Sequence, residues 1–265
     1  MGQQSLGEWS TEDESTRPQR CLSFTIRGPW GHFRRIEGNI VKQTYRIIPR
    51  TTVAGLLAAV VGTERDGYYD LFAPDESAVA IQPVREIRTI NMPMNTLSTA
   101  RENLQSLNGQ GKISIKLPDP TTLRQQHNYE VLVEPAYRID ISMSDDEWYT
   151  ALRAMLEAGK SHYVPSLGLS EHLAEIEYHG EFDVEAGPQG ESVAVDSAVP
   201  NAVDDVVLDA GTRCQIEESP AFMQADSGGR TTTGFTTYSY NPDAKPLTVA
   251  GVETARVDDR TVVFV

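Results

Sequence analysis

From Cys21 to Arg27 apolar and polar residues alternate until Gly28-Pro29, the pattern of a half-buried strand stopped by a turn. Gly28 to Arg46 keeps no period and carries Trp30, His32, Phe33 and Tyr45 among basic residues, so a long loop is expected there. Val53, Leu56, Leu57, Val60 and Val61 then fall at i, i+3, i+4, i+7 and i+8. They make one face of a helix that opens at Pro49-Arg50-Thr51-Thr52 and stops at Gly62. Thr51 or Thr52 is the expected N-cap. Gly55 inside this helix costs about 1 kcal/mol relative to alanine, which predicts a backbone or a ligand packed close against it.

Ala78 to Met92 and His127 to Met143 read as two long strands. Residues 92–126 between them are rich in Asn, Gln, Ser and Thr around a Gly109-Gln110-Gly111 turn, a hairpin expected to be mobile in the free protein. Asp145 to Ala158 is a second helix, with Trp148, Leu152, Met155 and Leu156 on one face and Gly159 as its stop. Ala174 to Glu185 is a fourth strand. The order strand, helix, strand, hairpin, strand, helix, strand is the split βαβ, ferredoxin-like arrangement shared by RNA-recognition motifs, an α+β fold. After a Gly/Pro/Ser-rich linker, further β-type pattern occupies 203–208, 231–240 and 261–265. The expected organisation is a disordered leader over 1–19, an RNA-binding domain over 20–185 and an acidic, β-rich segment over 186–265.

Charge changes this picture. The net charge is −15, which argues against a nucleic-acid partner until its distribution is considered. From Arg20 to Arg50 there are seven basic residues against Glu37 alone, and from Glu181 onward fifteen acids against five bases. A basic segment on an acidic body marks an anion-binding stretch. The acid excess, with five lysines against eighteen arginines, suits a protein kept soluble in concentrated salt, as in a halophilic archaeon. Salt weakens binding by counterion release, so such a protein would rely on shaped arginine contacts and stacking.

Other classes find little support. No run of eighteen apolar residues predicts a membrane span, and residues 1–19 lack a signal-peptide stretch. Cys21 and Cys214 stand far apart without CxxC spacing, which suits a reducing cytoplasm and no zinc site. Gly159-Lys160-Ser161 lacks the glycine a P-loop needs at position 154, and Gly168-Leu169-Ser170-Glu171-His172 lacks the last glycine of a nucleophile elbow. His172 and His179 flank Glu175 without HExxH spacing. No cofactor or metal is expected.

Three motifs together carry a resemblance. The first is Gly28-Pro29-Trp30-Gly31-His32-Phe33-Arg34-Arg35 followed by Tyr45-Arg46-Ile47-Ile48-Pro49-Arg50-Thr51-Thr52-Val53-Ala54-Gly55-Leu56-Leu57. The second is Gly159-Lys160-Ser161 leading to Pro165-Ser166-Leu167-Gly168. The third is Glu218-Ser219-Pro220-Ala221-Phe222-Met223 with Arg230. The chain from about residue 20 onward resembles the CRISPR-associated protein 5 family, and most of all its subtype I-B branch. The resemblance implies a modified RNA-recognition (RAMP) fold with a long hairpin thumb. It also implies a non-catalytic place at the foot of a type I surveillance complex, Cascade, gripping the 5′ handle of the crRNA. Backbone subunits, the large subunit and, in the assembled complex, target DNA would be its partners. One subtype's resembling subunit cuts precursor RNA without metal. His32, Lys42 and Tyr45 supply residue types for that chemistry at a spacing that specifies nothing. A free-standing single-stranded RNA binder is the other alternative.

The residues themselves agree with an RNA grip at several points. Arg27, Arg34, Arg35, Lys42, Arg46 and Arg50 supply charge, and Trp30, His32, Phe33 and Tyr45 offer flat faces for bases. Phe33 suits the core equally well. Thr51 and Thr52 open a helix whose free N–H groups favour an anion. Lys160, Ser161 and Tyr163 sit on a glycine-bearing loop that either touches RNA or simply connects helix to strand. In the thumb, Arg101, Lys112, Lys116 and Arg124 are basic, while Met92 and Met94 either wedge between nucleotides or seal the hairpin base.

Overall fold

The computed structural model describes residues 18–35, 41–97, 124–226 and 229–265. Its main sheet is built on β1 (Arg20–Arg27), the alternating segment seen in the sequence. β6 (Ser77–Pro83), β9 (Ala136–Met143) and β10 (Glu175–Ala186) join it in the order β10-β1-β9-β6, every neighbour antiparallel. Helix α1 (Arg50–Val61) connects β1 to β6, and α2 (Asp146–Glu157) connects β9 to β10. Both helices cover one face. Leu22, Phe24, Ile26, Ile139 and Ile141 from the sheet meet Val53, Leu57 and Val60 of α1 and Trp148, Leu152 and Leu156 of α2. Truncating one such aliphatic side chain to alanine costs roughly 2–5 kcal/mol.

The sheet does not stop at β10. β17 (Ala255–Val257) pairs with it, β18 (Arg260–Val262) pairs with β17, and Val265 then exchanges backbone hydrogen bonds of 2.9 and 3.0 Å with Val79 of β6. The sheet thus curls until its two edges approach. Small side chains allow the curl: Cys21, Ala80 and Ala255 pack with Val184, Val257 and Val262 on its second face. So the C-terminal segment completes the sheet built by the rest of the chain.

Beside this body stands a long hairpin, β7 (Arg88–Leu97) against β8 (Arg124–Val133), with β2 (Trp30–Gly31) and β4 (Val41–Lys42) also on β8. β3 (Phe33–Arg34) pairs with β5 (Thr44–Tyr45). The expected loop over 28–46 therefore contains short strands. In the last third, β11 (Val193–Val195), β13 (Val206–Val207) and β16 (Leu247–Val249) form one small sheet. β12 (Val199–Pro200), β14 (Gln215–Asp226) and β15 (Gly229–Tyr240) form another.

Several expectations need correction. The strand expected over 78–92 is two, parted after Pro83. That over 127–143 is also two, because Glu134 takes a left-handed φ of 47° ahead of Pro135. The N-cap of α1 is Pro49, which lacks a capping side chain, and Thr51 and Thr52 lie in the first turn. The close neighbour of Gly55 is the Tyr68 hydroxyl, 3.1 Å from where a Cβ would stand. By contrast, α2 has a capping side chain: Asp145 accepts from the Trp148 N–H at 2.8 Å. The long β14 had no clear alternation to announce it. Among the described residues no helix is long and apolar enough to cross a membrane.

Candidate nucleic-acid interface

The basic segment leaves β1 at Arg27, which pairs with Glu175 at 3.3 Å and Glu177 at 3.4 Å on β10. Beyond it the chain is pinned by close backbone approach. The His32 N–H donates to the Leu167 carbonyl at 3.0 Å, and a Cβ on Gly168 would stand 2.0 Å from the His32 carbonyl oxygen. Gly168 also takes a φ of 91°, where L side chains are strained. A Cβ on Gly28 would stand 2.7 Å from the Leu173 carbonyl oxygen. The glycines of the first two sequence motifs thus bring two protein segments together.

The β3–β5 pair sorts the residues that follow. Phe33 and Tyr45 are register partners and both are buried, while Arg34 faces solvent. Phe33 is therefore a core residue, 6.1 Å from the Tyr137 ring. Thr44 ties the pair down, its hydroxyl accepting from the Phe33 N–H at 2.8 Å. Lys42 is half-buried on β4 beside β8, and Trp30 is half-buried opposite Val133. His32 is 1% exposed, its Nδ1 lying 2.8 Å from the Glu130 carbonyl oxygen. Burial pushes its pKa down, and the same holds for buried His172 nearby. His32 presents neither a face for a base nor a solvent-accessible nitrogen.

Two carboxylates missed by sequence reasoning organise the exit of the segment. Glu130 on β8 accepts from Arg46 Nη2 at 2.5 Å, and Glu217 on β14 accepts from the N–H groups of Arg46 and Ile47 at 2.7 and 3.1 Å. Tyr137 closes the knot by donating its hydroxyl to the Arg46 carbonyl. Arg35 stands 4.0 Å from Glu217, with its guanidinium 5.3 Å over the Tyr45 ring. Burial raises the Glu217 pKa against the lowering effect of those N–H groups and both arginines.

Arg50 also departs from its expected role. It is 1% exposed and donates to the carbonyls of Phe72 at 2.6 Å and Ser77 at 2.8 Å and to the Ser77 hydroxyl at 2.7 Å. Its guanidinium lies 4.4 Å over Phe222, and burial pushes its pKa down to about 10. It holds the fold together and offers no donor to a surface ligand. Thr51 and Thr52 are half-buried, and the Thr51 hydroxyl reaches the Pro220 carbonyl at 3.5 Å. The start of α1 is thus covered in part by β14.

Lys160, Ser161 and Tyr163 are exposed after α2. Their loop docks on the last turn of α1, through His162 N–H to Val60 and Tyr163 N–H to Ala59, both 3.0 Å. That puts them at the end of α1 opposite Thr51, about 13 Å further along the helix axis. The structure does not gather the two expected halves at one point. Met92 and Met94 are half-buried on β7, opposite Tyr129 and His127. Arg101, Lys112, Lys116, the side chain of Arg124 and most of the leader lie outside the described residues. Among the described residues no three His, Cys, Asp or Glu side chains gather as a metal site would need.

Comparison with known proteins adds an independent line. The model of the CRISPR-associated Cas5 proteins matches residues 21–234. No curated protein matches the sequence. Among solved structures the chain is similar to one from a CRISPR RNA-guided surveillance complex, at 12% identity and TM-score 0.51, over 87% of this chain and 91% of that one. A CRISPR protein from Archaeoglobus fulgidus follows at 13% identity and TM-score 0.49, over 92% and 98%. A chain of the type III-B Cmr-β complex bound to cognate target RNA and AMPPnP has 10% identity and TM-score 0.44, over 85% and 86%. The first supports a shared overall fold.

Proposed function

The chain belongs to the Cas5 family of CRISPR-associated proteins, and from that premise we propose that it is the non-catalytic subunit of a type I Cascade that binds the 5′ handle of crRNA. The observation that carries this reading is the β3–β5 pair. Its inner residues Phe33 and Tyr45 are locked in the core, while Arg34 faces outward with Arg35 and Lys42 close in sequence. Rigid presentation of guanidinium groups suits phosphate, which they bind in a fork. The order β10-β1-β9-β6, with one helix before β6 and one before β10, supports a ferredoxin-like RNA-recognition framework. The β7–β8 hairpin is the base of the thumb, which in this reading reaches the backbone subunits. The large subunit and target DNA complete the assembly.

Burial of His32 weighs against the nuclease alternative, because a general base must reach the 2′-hydroxyl it deprotonates. Two measurements test the proposal together. Affinity purification from cells with an active CRISPR locus should recover one copy of the protein with a guide RNA and several backbone subunits. Incubation with repeat RNA in EDTA should leave the RNA intact. A free homo-oligomer in the first experiment, or a single defined cut in the second, overturns the reading.

A further inference from the structure

Arg35 and Arg46 both meet a carboxylate, in unlike ways. Arg46 is committed: its guanidinium donates to Glu130 at 2.5 Å and to the Thr44 carbonyl at 2.9 Å. Arg35 Nη1 stands 4.0 Å from Glu217 Oε2, beyond hydrogen-bond reach, and 33% of its side chain faces solvent. Stacking over Tyr45 holds its position without occupying its donors. Glu217 is 4% exposed, and its other oxygen is occupied by the Arg46 and Ile47 N–H groups. Among the described residues the pair is therefore loose on the arginine side and fixed on the glutamate side.

We propose that Arg35 is an exchangeable phosphate ligand and Glu217 its positioning residue, so that an arriving phosphate takes the Arg35 donors and Glu217 takes up one proton from solvent. This deepens the handle-binding reading and rests on it for RNA as the ligand. Before exchange, Glu217 neutralises Arg35 and holds the guanidinium near the ring. After exchange, a buried carboxylate would face a new negative charge with weakened compensation, and protonation relieves that. The charged and titratable groups facing Glu217 are Arg35 and Arg46 from the basic segment, Tyr137 from β9 and Tyr240 from β15. Both tyrosine hydroxyls are held above their ordinary range, so the carboxyl is the group that takes the proton.

The sign follows from linkage. Burial already holds the free carboxyl above the ordinary range, and a bound phosphate raises it further. Affinity therefore rises as pH falls through the bound-state pKa and levels off below the free-state pKa. Glu217→Gln keeps an oxygen for the two N–H groups and removes the charge, so it mimics the protonated form at every pH.

Titration calorimetry between about pH 5 and 8, in two buffers of different ionisation enthalpy, tests this with single-stranded RNA from the locus's own repeat and with tripolyphosphate. Wild type should take up a proton on binding. Glu217→Gln should take up none, bind RNA about fivefold tighter at pH 8 and match wild type at low pH. Wild-type proton uptake needs no variant to fold. RNA binding with no proton uptake and no difference between the proteins overturns the inference and leaves the handle reading intact. Tripolyphosphate binding whose proton uptake Glu217→Gln abolishes, without RNA binding, overturns the handle reading and leaves the exchange. Binding of neither overturns both.

Discussion

Arg260 grips Asp140 through two hydrogen bonds of 2.7 and 2.8 Å across a separation of 120 residues, joining the last strand of the curled sheet to β9. The side chains are 8% and 1% exposed, and Ser23 and Gln82 lie within hydrogen-bond range of the same guanidinium. Breaking one side of a buried pair leaves an uncompensated charge, so Asp140→Ala should destabilise the protein by about 3–5 kcal/mol in urea unfolding. The double replacement Asp140→Leu with Arg260→Met should recover much of that loss. If the double variant is as unstable as the single one, the pair's geometry is not what closes the sheet.

Arg34 and Arg50 should separate RNA contact from folding. Arg34→Ala should keep its stability and lose roughly tenfold in affinity for handle RNA. The slope of log affinity against log salt should become shallower by about 0.7. Arg50→Met should leave the RNA affinity of the folded protein unchanged. It should cost about 3 kcal/mol or more of stability, because carbonyls of Phe72 and Ser77 lose their donors. The opposite pattern in calorimetry and urea unfolding would put the ligand at the start of α1.

Gly168→Ala tests whether the second motif serves packing. The new Cβ would meet the His32 carbonyl oxygen at 2.0 Å from a left-handed backbone. Replacing Gly168 should therefore destabilise by roughly 1–3 kcal/mol or displace the segment, visible as faster amide exchange at His32. Gly159 has open space around its Cβ position, so Gly159→Asn should cost only a few tenths of a kcal/mol. Equal losses at both glycines would contradict the packing role.

Stability should fall on mild acidification. His32 and His172 are buried with pKa values pushed below the ordinary 6.5, mainly by burial. Their full contribution is present above the unfolded value. It is lost as pH falls from there toward the folded pKa, because the unfolded chain binds the protons first. Glu130 opposes and Arg34 reinforces the shift at His32, while Glu171 opposes it at His172. Glu217, with its raised carboxyl, works in the opposite direction. Chemical unfolding between about pH 7 and 5 should show the loss, and the variant His32→Gln with His172→Asn should flatten it. A wild-type curve as flat as the variant's would mean the two histidines are not held neutral by the fold.

The sequence by itself determined the local order: β1 from its alternation, α1 from its 3.6-residue spacing, α2 from its apolar face and a positively charged segment on an acidic chain. These are short-range properties, since the period depends on residues within a turn or two. Tertiary structure decided which of the arginines are free. Arg46 meets Glu130 from 84 residues away and its N–H meets Glu217 from 171 away, so no local window contains either partner. Arg50 reads as a surface cation at the start of a helix until Phe72, Ser77 and Phe222 enclose it. The curl was likewise hidden, because it depends on Val265 returning to Val79 and on small residues from β1, β6 and β17 meeting on one face. Charge in a sequence gives the number of cations. Burial and long-range carboxylates decide how many of them a phosphate can reach.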